Sequence, residues 1–332
     1  MAVNTSLAHV SDTLFTTAIA TYALAMIGYA GEYAFGHRGK VNATAVPQRE
    51  LVGAGAPVPP PPPIEQAAPV STSRNAAASR FGRAAVVITI VGALLHLTSI
   101  AIRGAAVDEV PWSNMYEFAS VVGVIAVLAF LVGMARMPQI RYLGLFVMFP
   151  VVVIMFLAGT VLYSRASPLV PALQSYWLAI HVTAAASSEG ILMTSSVLTV
   201  LYLVRRRHDA LVLSGRSSRL TAAIGARLPT PATLDKVAYR LAAFAFPIYT
   251  FGIICGAIWA EAAWGRYWGW DPKETWAFIA WVVYAAYLHT RATAGLKKWA
   301  PWVNLLGFGA MTFNFFVVNI VISGLHSYAG LN

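Results

Sequence analysis

Eight stretches of this chain, residues 14–35, 84–102, 116–135, 142–162, 178–204, 237–259, 275–290 and 302–323, are apolar over lengths that reach or approach those of a transmembrane segment. A helix needs about 20 such residues to cross about 30 Å of hydrocarbon. The expectation is therefore an all-α polytopic membrane helix bundle with about eight transmembrane helices. Composition agrees, since only 11% of the residues are charged against roughly 25% in a soluble domain.

An even number of crossings puts both ends of the chain on one side. Of the 23 Lys and Arg residues, 19 fall in the connections 36–83, 136–141, 205–240 and 291–298. The other side holds four, Arg103, Arg165, Arg266 and Lys273. The positive-inside rule makes the basic side cytoplasmic and both termini extracytoplasmic. The net charge of +10 thus reports topology, and nucleic acid is not an expected partner. The chain divides into an N-terminal transmembrane anchor (1–35), a cytoplasmic Pro-rich linker (36–83) with five prolines in a row at 59–63, and a membrane domain (84–332). The first apolar run is followed, not preceded, by basic residues, the reverse of a secretory leader, so it reads as a retained anchor. The single cysteine, Cys255, lies in an apolar run. It supports neither an intrachain disulfide nor a CxxC pair nor a Cys-based metal site.

Residues 259–281 read WAEAAWGRYWGWDPKETWAFIAW and hold six of the ten tryptophans. Indoles beside Asp271, Pro272, Lys273 and Glu274 suggest a platform for a flat conjugated ligand, with N–H groups available to its polar edge. An interfacial aromatic belt is the alternative. His181 and His326 flank this stretch at the same membrane level, at the outer ends of the fifth and eighth helices. Two imidazoles beside an aromatic platform are what an iron with two axial nitrogens requires, and two unrelated interfacial histidines are the plainer alternative. His289 lies 14 residues into the seventh helix from Thr275, about 21 Å down. There an ionisable side chain is a functional candidate or a structural histidine bonded to a neighbouring helix. His96 is about 10 Å below the outer end of the second helix and does not pair with His289. His9, His37 and His208 read as solvated. Glu189 either lines a cavity or bonds to a neighbour, and residues 108–117 form a second outer polar-aromatic turn. No phosphate-cradling Gly loop, HExxH motif or nucleophile triad is present, which argues against ATP-driven transport and hydrolysis.

The run WGRYWGWDPKETWAFIAWVVYAAYLHTR (264–291) resembles the tryptophan-rich WWD signature of system II cytochrome c biogenesis proteins, the haem-handling component called CcsA, ResC or, in actinobacteria, CcsB. QSYWLAIHV (174–182), PWSNMYEF (111–118) and GLHSY (324–328) carry the same resemblance. It implies a protein of the bacterial plasma membrane that binds haem b and presents it on the extracytoplasmic side to the thiols of CxxCH apocytochromes c. Its implied partners are a ResB-type membrane subunit and a thiol-reducing protein, in a complex acting as a holocytochrome c synthase. By position, His181 and His326 match the family's external histidines and His289 its transmembrane histidine, all three as axial iron ligands. Trp264, Trp268, Trp270, Asp271 and Trp276 fall within the signature that handles haem. From the residues alone, a transporter or receptor for a non-haem aromatic ligand is the competing expectation.

Overall fold

A computed structural model describes residues 3–36, 72–216 and 218–326. The described residues form α1 (Thr5–Phe35), α2 (Thr72–Val107), α3 (Met115–Arg136), α4 (Gly144–Thr160), α5 (Tyr176–Leu213), α6 (Arg219–Gly225), α7 (Pro231–Trp264), α8 (Pro272–Ala292) and α9 (Ala300–Ile320). Short 3-10 turns lead into α4 and α5. Every apolar stretch in the sequence is one long helix, and α6 is a short element at the basic end. Seven of the eight long helices have the length and composition of a membrane span, α4 together with the turn that precedes it. The eighth, α8, is 21 residues long, about 31 Å, but it carries Lys273 and Glu274 in its first turn and Arg291 in its last.

The helices outrun the apolar stretches wherever charge begins, because a helix leaving the hydrocarbon can continue in a polar medium. Thus α2 starts at Thr72, inside the expected linker, and α5 continues to Leu213, past three consecutive arginines. The rest of the linker, including its five prolines and His37, lies outside the described residues. His208, expected to be solvated, is instead buried on α5 against Gly225 of α6. Local signals set the helix starts. Asn114 accepts from Glu117 N–H at 3.0 Å to cap α3, and Ser175 accepts from Trp177 N–H at 3.2 Å to cap α5. Proline occupies the first turn of α7 and of α8, where its missing N–H is not needed.

The N-terminal helix is more than an anchor. Phe15, Ala18, Tyr22, Ala25 and Tyr29 recur every three or four residues and are almost fully buried, so one stripe of α1 belongs to the core shared with α2, α3 and α4. A second core joins α5, α7, α8 and α9. Neighbouring chain ends are tied in pairs. Asn4 N–H donates to Ala106 O at 2.8 Å, Arg103 to Ser164 O at 2.5 Å and Leu169 N–H to Glu109 at 2.6 Å. The start of α1 therefore lies at the same end of the bundle as the 2–3 and 4–5 connections. Arg103 is buried there between Glu117 at 2.7 Å and Asp12 at 3.3 Å. At the opposite end Arg141 pairs with Glu32, Arg205 donates to Leu228 O at 2.6 Å and Arg291 to Asp235 at 2.5 Å.

Candidate functional site

At the end opposite the arginine cluster, a cavity opens between the two cores. Its walls come from the α2–α3 turn (Trp112, Asn114), α5 (His181, Glu189), α7 (Tyr249, Gly252, Trp259), α8 (Lys273), α9 (Asn314, Asn319) and His326 beyond α9. Its volume is about 170 Å³ and its mouth is open, which is room for more than a single bound water.

His181 and His326, separated by 145 positions in the chain, both line this space. Their ring nitrogens are committed in the same way. His181 Nδ1 is 2.8 Å from Gly252 O; a carbonyl only accepts, so Nδ1 carries the proton and donates. Gly256, one turn further along α7, gives the ring its room: a Cβ there would sit 2.7 Å from the imidazole. His326 Nδ1 is 3.0 Å from Asp271 Oδ2. Burial alone would raise the Asp271 pKa. Hydrogen bonds from His326, Leu325 N–H and Lys273 N–H outweigh that and hold it down at about 2, from an ordinary 3.8. Asp271 is then ionised and acceptor-only at neutral pH, so His326 Nδ1 donates to it. What this ionisation adds to stability is present above pH about 4 and is lost only as pH falls through about 2. In the neutral ring of each histidine the Nδ1 bond sets the tautomer, with the lone pair on Nε2. Such second-shell ties fix the orientation of a metal-binding imidazole.

The WDPKE turn supports this arrangement. Asp271 caps α8 by accepting from Lys273 N–H at 3.1 Å, and it also accepts from Leu325 N–H at 2.7 Å. Glu274 completes a capping box, accepting from Asp271 N–H at 3.1 Å, from Gly269 N–H at 2.8 Å and from Arg266 at 3.1 Å. Trp270 sits at φ +58°, a strained conformation for an indole residue. Two anionic side chains thus hold both ends of the motif, and Asp271 fastens it to the segment that carries His326.

The tryptophans separate into three groups. Trp259 is 2% exposed, lines the cavity, lies parallel to His181 (6.1 Å, 13°) and meets His326 edge-on (5.7 Å). Trp264 backs His326 at 4.8 Å from behind the cavity. Trp268 and Trp270 pack edge-on to each other and against Phe278, which stacks on Trp281. They form an outward strip, with Trp270 66% exposed. Trp276 lies against Phe313 of α9 at 4.1 Å. Of the platform residues singled out from sequence, none of Trp264, Trp268, Trp270 and Trp276 lines the cavity. Trp259 and Trp112 do.

The other histidines stand apart. His96 is fully buried, with Nε2 2.9 Å from Ser120 Oγ and Nδ1 3.4 Å from Tyr22 OH. It is a satisfied core residue. His289 is exposed in the last turn of α8, its Nε2 3.4 Å from Thr293 Oγ1. That is about 27 Å along the helix from Asp271, toward the arginine end of the bundle. Sequence reasoning passed over Gly252 and Gly256. Their four-residue spacing was the available signal, since small residues at that interval let another helix approach closely.

The family model for Cytochrome C assembly protein matches residues 112–326, the span from the cavity-lining α2–α3 turn to His326. Curated relatives include the cytochrome c biogenesis proteins CcsA of Chlamydomonas reinhardtii, 43% identical over 51% of this chain and 45% of the relative, and of Guillardia theta, 42% identical over 51% and 59%. The chain thus spans about half the length of these two. CcsA of a Synechocystis strain is 36% identical over 71% of this chain and 86% of its own length. Among solved structures, the cytochrome c heme lyase CcmF superposes with a TM-score of 0.61 at 17% identity, covering 100% of this chain and 49% of that one, a likeness of fold.

Proposed function

This chain belongs to the cytochrome c assembly protein family, and we propose that it serves cytochrome c maturation by binding haem b in the cavity, with His181 and His326 as the two axial ligands. The observation that carries this reading is the matched preparation of the two imidazoles: each Nδ1 is tied to an acceptor of the protein, Gly252 O or Asp271, and in the neutral ring each Nε2 holds the lone pair. Among the described residues no three His, Cys, Asp or Glu side chains converge on one point. A pair of imidazoles suits a metal that brings its own equatorial nitrogens, as an iron porphyrin does. Trp259 and Trp112 supply aromatic walls that can cover a flat ring.

With the arginine end cytoplasmic by the positive-inside rule, the cavity and both termini face the extracytoplasmic side of the bacterial plasma membrane. There haem is the substrate, presented to the two thiols of a CxxCH apocytochrome for thioether attachment. Cys255 is buried and takes no part, so both thiols come from the client and a separate thiol-reducing protein keeps them reduced. A ResB-type membrane subunit completes the complex. The outward strip of Trp268 and Trp270 lies beside the cavity, at the level where a client or a second subunit would meet the haem edge.

The test is spectroscopic. Protein purified from haem-replete cells, or reconstituted with ferric protoporphyrin IX, is expected to give a low-spin bis-imidazole spectrum on reduction. Absence of haem absorbance under both conditions would overturn the reading in favour of a non-haem aromatic ligand. Asp271→Asn keeps an acceptor for the α8 cap but removes the charge behind His326. Haem affinity in titration should fall about 10- to 100-fold, as for loss of other second-shell partners, with helix content unchanged. Unaltered affinity would show that His326 needs no carboxylate.

A further inference from the structure

The floor of the cavity holds a cation and a carboxyl that do not meet. Lys273 leaves the first turn of α8 and points its side chain across to α9, where Nζ donates to Asn319 Oδ1 at 2.9 Å. An ammonium has three donors, and among the described residues this is the one hydrogen bond that Nζ makes, with no carboxylate within the 4.0 Å of an ion pair. The carboxyl is Glu189 on α5, 8% exposed, which lines the same space with no hydrogen-bond partner among the described residues. Asn319 is itself held by donating to Phe315 O at 2.7 Å, so the lysine is aimed rather than loose. Asn314, also on the floor, donates weakly to Lys273 O at 3.4 Å and leaves its own Oδ1 buried and unpartnered.

Among the described residues no carboxylate makes an ion pair with this partly buried cation, and a charge so placed is costly until it is paired and hydrogen-bonded. Glu189 lies beyond ion-pair distance of it. A ligand carboxylate entering between them accepts from Lys273 and can share a proton with Glu189, satisfying both groups at once. Lys273 and His181 line the same cavity, so a single ligand can reach both.

We propose that Lys273, aimed by Asn319 and faced by Glu189, is a carboxylate subsite that orients the cavity's ligand by its acidic edge. This rests on the haem reading, in which the acidic edge is that of the porphyrin carboxylates. The iron would then sit toward the two histidines and the opposite, alkenyl edge toward the mouth, where client thiols arrive. Lys273 is a binding and positioning residue here and does not touch the reacting carbons.

The experiment is a titration of the purified full chain in detergent with ferric protoporphyrin IX and with its dimethyl ester, which has the same ring and iron but no acidic groups. Wild type should favour the free acid by about 10- to 100-fold, the worth of one charge-assisted hydrogen bond. Lys273→Met should bind both forms equally and keep the bis-imidazole spectrum. Lys273→Arg, which preserves the charge, should retain the preference and report on whether the site is intact. Equal affinity of wild type for acid and ester, with a normal spectrum, would overturn the subsite while leaving the haem reading in place. Binding of neither form would overturn both. A preference undiminished in Lys273→Met, or abolished as fully in Glu189→Gln with Lys273 present, would also overturn the assignment, because the discrimination would then not come from the lysine.

Discussion

Replacing either His181 or His326 by alanine is expected to convert the reduced haem from a six-coordinate, low-spin species to a five-coordinate one and to stop cytochrome c maturation. On the proposed reading each imidazole supplies one axial nitrogen, and among the described residues that line the cavity there is no third histidine to take its place. Small imidazole added to the medium should restore the low-spin spectrum in each variant, since it can fill the vacated position. Restoration of ligation separates a lost ligand from a lost fold. Gly256→Ala provides a second, geometric route to the same outcome. Its Cβ would lie 2.7 Å from the His181 ring, at the Nδ1 that bonds Gly252 O, so the ring must shift at the expense of that bond. This variant should lose the His181 ligand with all histidines present, and added imidazole should rescue it as it does His181→Ala. Wild-type spectra in both histidine variants would mean that the iron, if bound, is held elsewhere.

The second large effect concerns His289. Exposed in the last turn of α8 and about 27 Å along the helix from Asp271, it shares no space with the His181–His326 cavity. One imidazole offers one axial ligand, and of the other described histidines His96 has both ring nitrogens within reach of Ser120 and Tyr22 in the core, while His208 is buried against α6. A haem stopping at His289 therefore needs its other ligand from a different polypeptide, and the exposure of the ring on the bundle surface is what such a shared site requires. His289→Ala in the complex with a ResB-type subunit should lower haem stoichiometry from two sites to one and block maturation, with both partly restored by imidazole. The spectrum of the His181–His326 site should persist when haem is supplied from outside. Full maturation in His289→Ala without imidazole would remove His289 from the pathway and leave the cavity untouched.

Much of this protein is legible along the chain because the bilayer allows so few solutions. A continuous apolar run long enough to span must be a helix, and all eight runs are. Where the boundaries slipped, at Thr72 and Leu213, hydropathy reported the edge of the hydrocarbon and not the end of the helix. Asp271 and Glu274 were visible as a turn because a capping box acts over three residues. His181 and His326 could be placed on one level by counting crossings, which needs no tertiary knowledge.

Which side chains face each other was another matter. The tryptophans from Trp264 to Trp276 look equivalent in sequence, yet a helix disperses neighbours around its axis at 3.6 residues per turn. Trp268 and Trp270 turn outward, Trp276 meets α9, and Trp259, from the preceding helix, reaches the cavity. His208 was misread for a similar reason, since it follows three arginines but is covered by a short helix from 11 residues further on. The chain's own order determined a membrane bundle, a rigid WDPKE turn and two histidines on one level. Packing between helices remote in sequence decided that these histidines share a cavity with Nε2 free, and that Lys273 and Glu189 stand apart on its floor, because those relations depend on helix rotation and approach, which local hydropathy and capping do not encode.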